Sequence, residues 1–417
     1  MGSLMGRVEN RIRNSPSRRK ALAQFAAFVA ASPLLRAQQD PHGDLRVHRR
    51  VPGLDEMETV FDFEPLFHAN IPLQTTEYTY HGDGTEFTLR RNRQAFDWVD
   101  ILPGTPIDGA SVDLSTTILG QKMKFPIFIS PNSYQVALHP DGEIGTHRGA
   151  TAASNTLMMI SNVATHPVEK IVPAAAGPCW FQFYPREDLD DSQEVIEKAQ
   201  AAGCPAVIVT VDQQASLYER DLHARNLGGS PRSAGRGGIG LAGIPDSGRG
   251  GAQGAALARY HLSIQRLWYT WDYLDKVHKF IKGPMIVKGI LTPEDAELCV
   301  QHGVDAILVS NHGGRSMDYG PSPLEVLPEI VAQVRGRIPV LVDSGFRRGS
   351  DVFKSLALGA DAVGIGRANR FGLGAFGAAG VQRVLEIMQR ELVQTAAAAG
   401  RRTLASIDKT AVKVNFV

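Results

Sequence analysis

With 417 residues, 43% hydrophobic and 21% charged, the chain has the make-up of a globular protein, which excludes disordered and collagen-like classes. A formal net charge of +1 leaves no electrostatic footprint for a phosphate backbone and argues against nucleic acid as a partner. Cys179, Cys204 and Cys299 are too few and too widely spaced for a disulfide framework or a zinc knuckle, and read as small buried apolar residues.

The first segment, residues 1–37, is ordered like an export signal. A basic stretch ends in Ser17-Arg18-Arg19-Lys20, an apolar run spans Ala21 to Leu35, and Arg36-Ala37 follows. The paired arginines point to the twin-arginine route and hence to the bacterial periplasm. The run is shorter than the ~20 residues that span a bilayer as a helix. An amphipathic arm in the cytoplasm and a mitochondrial presequence are the competing readings. Residues 38–124 are then expected to form an arm and helices leading into a barrel domain at 125–417 that closes with a C-terminal helix.

Within that domain, apolar runs alternate with amphipathic stretches: Pro126 to Ser130, Leu157 to Ser161, Trp180 to Tyr184, Ala206 to Asp212, Met285 to Lys288, Ala306 to His312, Val340 to Ser344 and Ala362 to Arg367. Continuous runs without strict alternation suit strands buried on both faces, and helical patterns between them imply parallel βαβ units. Gly203, Gly303 and Gly359 each stand where a helix ends before the next run begins. Eight such units predict a (β/α)8 TIM barrel. An open doubly wound sheet would show a glycine-rich turn after its first strand, and Ser130-Pro131-Asn132-Ser133 is not that turn. The glycine-rich tract from Leu227 to Gly254 falls after the fourth run. It reads either as a long loop over the active-site face or as an insertion without function.

Barrel active sites lie at the C-terminal ends of the strands. The runs end there in Ser130, Ser161, Gln182 with Tyr184, Thr210 with Asp212, Lys288, Ser310 to His312, Asp343 with Ser344, and Arg367. Every run thus delivers a polar side chain to one rim, as a polar ligand requires. Asp343-Ser344-Gly345-Phe346-Arg347-Arg348 and Gly364-Ile365-Gly366-Arg367 read as a phosphate site, with glycines for backbone approach and Arg367 able to fork onto two oxygens. For Arg348 a helix-capping role is the alternative. Lys288, at the end of an apolar run, implies a negative partner; a Schiff-base lysine is the rival reading. His312 followed by Gly313-Gly314-Arg315 places a base near a carboxylate binder, with Asp212 as the candidate orienting group. Taken alone, His312 is equally compatible with a structural histidine.

At these residues the chain resembles the FMN-dependent 2-hydroxy acid oxidases and dehydrogenases, the family of glycolate oxidase, lactate oxidase, the flavin domain of flavocytochrome b2 and mandelate dehydrogenase. The resemblance runs from about Glu77 to about Asp408. It is carried by Val287-Lys288-Gly289, Val309 to Arg315 with Asp318-Tyr319, Ile338-Pro339-Val340, Arg347 to Val352 and Ile365-Gly366-Arg367. Tyr78, Gly82 and Thr88 to Phe96 match the family's opening segment.

The resemblance implies FMN as cofactor, held by Ser130, Pro131, Asn132, Ser133, Ser161, Gln182, Thr210, Lys288, Ser310, Asp343, Gly345, Arg347, Gly366 and Arg367. It implies His312 as base with Asp212 as its partner, Arg315 and Tyr78 as the carboxylate clamp, and Tyr184 as a hydroxyl contact. The implied reaction is oxidation of a small L-2-hydroxy acid, lactate- or glycolate-like, to the 2-oxo acid. Electrons pass to flavin N5 and on to oxygen, a quinone or a cytochrome. The implied assembly is a homotetramer.

The pattern departs from the family at three places. Tyr218-Glu219-Arg220-Asp221 stands where the family carries Arg-Glu-x-Asp, so Tyr218 occupies the place of a second substrate cation. Ser133 replaces an Ala or Gly, and Val163 replaces a bulkier residue, enlarging the pocket. Two alternatives use the same fold and cofactor: an isomerase of the type 2 isopentenyl diphosphate kind, and a flavin-binding electron-transfer protein with an altered substrate pocket.

Overall fold

The structure, a computed structural model, describes residues 52–186, 188–212 and 270–416. The signal-like segment, Tyr218 and the glycine-rich tract from Leu227 to Gly254 lie outside the described residues. The chain enters through helices α1 (Phe63–Asn70), α2 (Leu73–Tyr80) and α3 (Phe87–Asp97), then a short strand β1 (Val99–Ile101) and a hairpin of β2 (Thr116–Ile118) and β3 (Gln121–Met123). These three strands are not foreseen from the sequence, because three residues are too few to show a period.

Eight strands follow: β4 (Ile127–Asn132), β5 (Met158–Ser161), β6 (Cys179–Phe183), β7 (Val207–Thr210), β8 (Met285–Ile290), β9 (Ala306–Val309), β10 (Val340–Val342) and β11 (Ala362–Ile365). They pair in parallel and close into a barrel when β11 joins β4, Val363 opposite Ile127. The fold is therefore the (β/α)8 barrel that the run pattern implies. All residues of β5, β7, β9 and β11 are buried, which is why they read as unbroken apolar runs rather than alternating ones.

Successive side chains on each strand point to opposite faces and so join two different cores. Phe128, Met159, Ile208, Ile286, Leu308 and Leu341 form one cluster, to which the hairpin adds Ile118 and Met123. Ile127, Ile160, Val207, Val209, Val287 and Ile307 join the other, with the helices. The bore is packed, so a ligand site belongs at the open rim.

The helices between and after the strands are α4 (Gly142–Ser154), α5 (Val168–Ile171), α6 (Leu189–Ala201), α7 (Trp271–His278), α8 (Pro293–Gln301), α9 (Pro323–Val334), α10 (Gly349–Ala357) and α11 (Arg367–Ala398). The sequence junctions are helix ends as expected, with φ of 106° at Gly203, 70° at Gly303 and 103° at Gly359. Thr292 and Ser322 cap α8 and α9, each with proline at the start of the helix. Helix α11 breaks at Phe376-Gly377. A last strand β12 (Val412–Val414) pairs antiparallel with β1.

Several strands stop short of the apolar runs that predicted them. β7 ends at Thr210, β9 at Val309, β10 at Val342 and β11 at Ile365, so Asp212, Ser310 to His312, Asp343 and Arg367 lie just beyond the ladder. In β4 the register with β5 shifts between Ile129 and Asn132, where Pro131 has no N–H to give. The residues beyond the ladder therefore stand in the turns above the barrel mouth, while Ser130, Ser161, Gln182, Thr210 and Lys288 lie within their strands.

Candidate active site

Three neighbouring strands bring the central group together. Asp212 follows β7, Lys288 is part of β8, and His312 follows β9 in a left-handed conformation with φ of 59°. The Lys288 ammonium donates to Asp212 Oδ2 at 2.9 Å, and His312 Nδ1 lies 2.7 Å from Asp212 Oδ1. Lys288 and Asp212 side chains are each 4% exposed and His312 18%. A carboxylate against Nδ1 puts the ring proton on that atom and leaves Nε2 as the acceptor. Tyr184, just past β6, sets its hydroxyl 3.3 Å from Nε2.

Burial would raise the Asp212 carboxyl, but His312, charged in the acid range where the carboxyl titrates, and Lys288 overturn that and hold it at about 2. Burial pushes His312 below its ordinary value; Asp212 pulls the other way, while Lys288 and Arg315 add to the lowering. The pair is thus an ionised carboxylate under a neutral imidazole at neutral pH, the form of a general base with a fixed tautomer.

The loop carrying His312 is fastened from the N-terminal segment. Asn92 on α3 and Asn311 exchange amide hydrogen bonds, Asn92 Nδ2 to Asn311 Oδ1 at 2.9 Å and Asn311 Nδ2 to Asn92 Oδ1 at 2.7 Å. Asn311 Oδ1 also accepts from the Gly314 N–H, and Ser310 Oγ accepts from the His312 N–H. Asp318 accepts from the N–H groups of Thr85 and Thr88. Helix α2 contributes Tyr78, whose ring has the Arg315 guanidinium 4.5 Å from its centroid. The Tyr78 hydroxyl lies 2.8 Å from Ser133 Oγ, so the Arg315–Tyr78 pair and the turn after β4 meet at one point. Tyr78, Tyr134 and half-buried Val163 form a small apolar wall there.

A polar belt lines the rest of the rim. Ser130 donates to Asp343, Ser161 donates to Gln182 Oε1 at 3.2 Å, and Gln182 Nε2 donates to Thr210 at 3.0 Å. These five side chains are buried, a costly arrangement that a ligand rich in hydrogen-bonding atoms justifies. A Cβ built on Gly366 would find its nearest neighbour, Asn132 Oδ1, only at 3.8 Å. The backbone is open there to an anion, as at a cofactor phosphate. Burial, with Arg93 adding to it, lowers Arg347 to about 10, and Glu64 sits 3.8 Å away. This donor set fits a flavin mononucleotide.

Two arginines of the expected phosphate site make contacts that the sequence could not place. Arg367 donates to the carbonyls of Gly313, Thr79, Tyr80 and His81. It ties α2 and the His312 loop to the start of α11, because buried carbonyls at a chain crossing demand donors. Burial, together with Arg315, Arg347 and Arg370 nearby, lowers it well below the ordinary arginine value. Arg348 stands at the N-cap position of α10 without a side-chain cap bond: its backbone N–H donates to Asp351 and its guanidinium pairs with Glu391.

Sequence reasoning missed two participants. Glu143 on α4 is fully buried and gathers the N–H groups of Gln135, Thr165 and His166, joining the turns after β4 and β5; nothing in its local sequence marks it. Arg370 was detectable, since it stands one helical turn after Arg367 in an otherwise apolar segment.

A parallel barrel with a buried imidazole–carboxylate–lysine group beside a backbone open to an anion defines a cofactor-dependent barrel enzyme. The model of the FMN-dependent dehydrogenase family matches residues 67–414. Glycolate oxidase 3 of Arabidopsis thaliana is 35% identical over 364 residues, 87% of this chain and 97% of its own length. Glycolate oxidase of Spinacia oleracea is 36% identical over 364 residues, with the same coverage of 87% and 97%. A crystal structure of mandelate oxidase superposes with a TM-score of 0.75 at 31% identity, covering 87% of this chain and 100% of that one. The chain belongs to this family of FMN-dependent 2-hydroxy acid oxidases and dehydrogenases; it is an oxidoreductase with FMN as its cofactor.

Proposed function

We propose that the enzyme oxidises a small L-2-hydroxy acid, lactate- or glycolate-like, to the 2-oxo acid. FMN, when bound, would supply the two-electron acceptor, held by Ser130 to Ser133, Ser161, Gln182, Thr210, Lys288, Ser310, Asp343, Gly345, Arg347, Gly366 and Arg367. Arg315 and Tyr78 take the substrate carboxylate, a charge-assisted contact that fixes its orientation. His312 Nε2 takes up the substrate proton, Asp212 steadies the imidazolium that forms, and Tyr184 contacts the substrate hydroxyl.

The observation that carries this reading is His312 Nδ1 at 2.7 Å from Asp212, with its other nitrogen beside Tyr184 on the same rim as Arg315. The names of the relatives support the substrate class: glycolate and mandelate are both 2-hydroxy acids. Anaerobic stopped-flow mixing with a panel of L-2-hydroxy acids tests the proposal. Bleaching of the bound flavin is expected, and no bleaching with any member overturns it. Reoxidation in air, by a quinone analogue or by a cytochrome then assigns the acceptor. The arginine pair at Arg18-Arg19 supports twin-arginine export to a periplasm, checked by fractionation of cells expressing the full chain. Family resemblance supports a homotetramer, checked by light scattering.

A further inference from the structure

The substrate clamp holds a second cation that the motif reading did not assign. Arg370, 3% exposed, sets its guanidinium 5.5 Å from the centroid of the Tyr78 ring. Its Nη1 donates to the Ser133 carbonyl at 2.7 Å and its Nε to the Thr79 hydroxyl at 3.1 Å. Ser133 in turn meets the Tyr78 hydroxyl. One tyrosine therefore has two guanidinium groups close to its ring, Arg315 and Arg370, and its hydroxyl fixed by the residue that Arg370 holds.

We propose that Arg370 is a positioning residue that supplies the second positive charge of the substrate-carboxylate clamp, acting through Tyr78 and Ser133. The sequence gives a reason for it. In the sequence, Tyr218 takes the place of an arginine that the family resemblance leads one to expect. A buried guanidinium beside Tyr78 returns a positive charge to the same rim from α11. Cations near a phenol ring orient it and strengthen its hydroxyl as a donor, and in a partly desolvated mouth a charge several ångströms away still favours an anion.

This inference rests on the proposed carboxylate clamp, so the test separates the two. Oxalate and the uncharged oxamide are titrated into the FMN-loaded enzyme, with binding read from the flavin spectrum, which requires no turnover. Arg370→Met is expected to weaken oxalate about tenfold and to leave oxamide within about twofold; Arg370→Lys recovers most of the oxalate affinity. Equal weakening of both ligands, or unchanged oxalate binding, overturns the proposal. Should Arg370→Met fail to fold with FMN, Arg370→Gln against Arg370→Lys makes the same comparison of charge at similar length. A wild-type enzyme that prefers oxalate to oxamide yet is bleached by no 2-hydroxy acid sinks the oxidation reading and not this one. A wild-type enzyme that binds both equally sinks this one.

Discussion

Asp212 and His312, one hundred residues apart in the chain, meet at 2.7 Å because β7, β8 and β9 are consecutive staves of the barrel. The carboxylate's other oxygen is taken by Lys288 at 2.9 Å, so Asp212 cannot rotate away without removing the counter-charge of a buried ammonium, whose other contact is His312 Nδ1 at 3.2 Å. The imidazole is thus held in one tautomer and one orientation. Replacing His312 by Ala is expected to remove at least about 10²-fold of the flavin-reduction rate while FMN stays bound, because no residue of the polar belt is lost. Rapid-scan reduction of the variant at saturating substrate checks this, and a rate near wild type removes His312 from the role of base.

The acid limb of kcat/KM should fall below the ordinary histidine value of 6.5. Burial depresses the folded-state value, so the neutral base persists as pH falls and is lost only when the pH passes through the lowered value. Stability follows the same sign. Between the unfolded and folded values the unfolded chain binds more protons, so stability present above 6.5 is lost as pH falls through the folded His312 value. Asp212 adds a second loss between its unfolded 3.8 and its folded value of about 2. Kinetics and urea unfolding from pH 8 downward measure both; an acid limb at or above 6.5 contradicts the assignment.

Lys288→Met should be costly to the fold as well as to the chemistry. Both partners of the Lys288–Asp212 pair are 4% exposed, and removing one side of a buried ion pair typically costs about 3–5 kcal/mol. His312 remains beside the carboxylate, which places the expected loss toward the lower figure. The shift in urea midpoint at constant slope reads it, and a loss under about 1 kcal/mol would mean that water replaces the ammonium freely.

The barrel was legible because strands buried on both faces cannot alternate, and because Gly203, Gly303 and Gly359 marked where each helix stops. The convergence of His312, Asp212 and Lys288 was legible for a related reason: barrel order makes the fourth, fifth and sixth runs neighbours, so their polar ends had to meet. Strands β1 and β12 were not, since they pair with each other across almost the whole barrel domain, and the β2–β3 hairpin was not, since its strands are short and only partly apolar. Arg367 shows a second limit. Its place beside glycines identified a basic rim, but the direction of its guanidinium depends on carbonyls of α2 that no local pattern reveals. Asn92 and Asn311 stayed hidden for the same reason, because an amide pair spanning 219 residues has no periodicity.

That amide pair should govern how well the base is placed. His312 sits at a positive φ of 59°, a conformation that costs free energy for a residue with a Cβ unless its surroundings impose it. The imposing contacts are the two reciprocal bonds between Asn92 and Asn311, both nearly fully buried. Asn92→Ala is expected to cost about 1–3 kcal/mol of stability through the polar atoms left behind, and to lower kcat more than it raises KM, since Arg315 and Tyr78 are untouched. Asn311→Ala should do the same, and the double variant should be scarcely worse than either single, with a coupling of about 0.5–3 kcal/mol. Urea midpoints and steady-state kinetics on the four members of that cycle decide it. Additive losses would show that the two amides act separately and that something else holds the His312 loop in its left-handed turn.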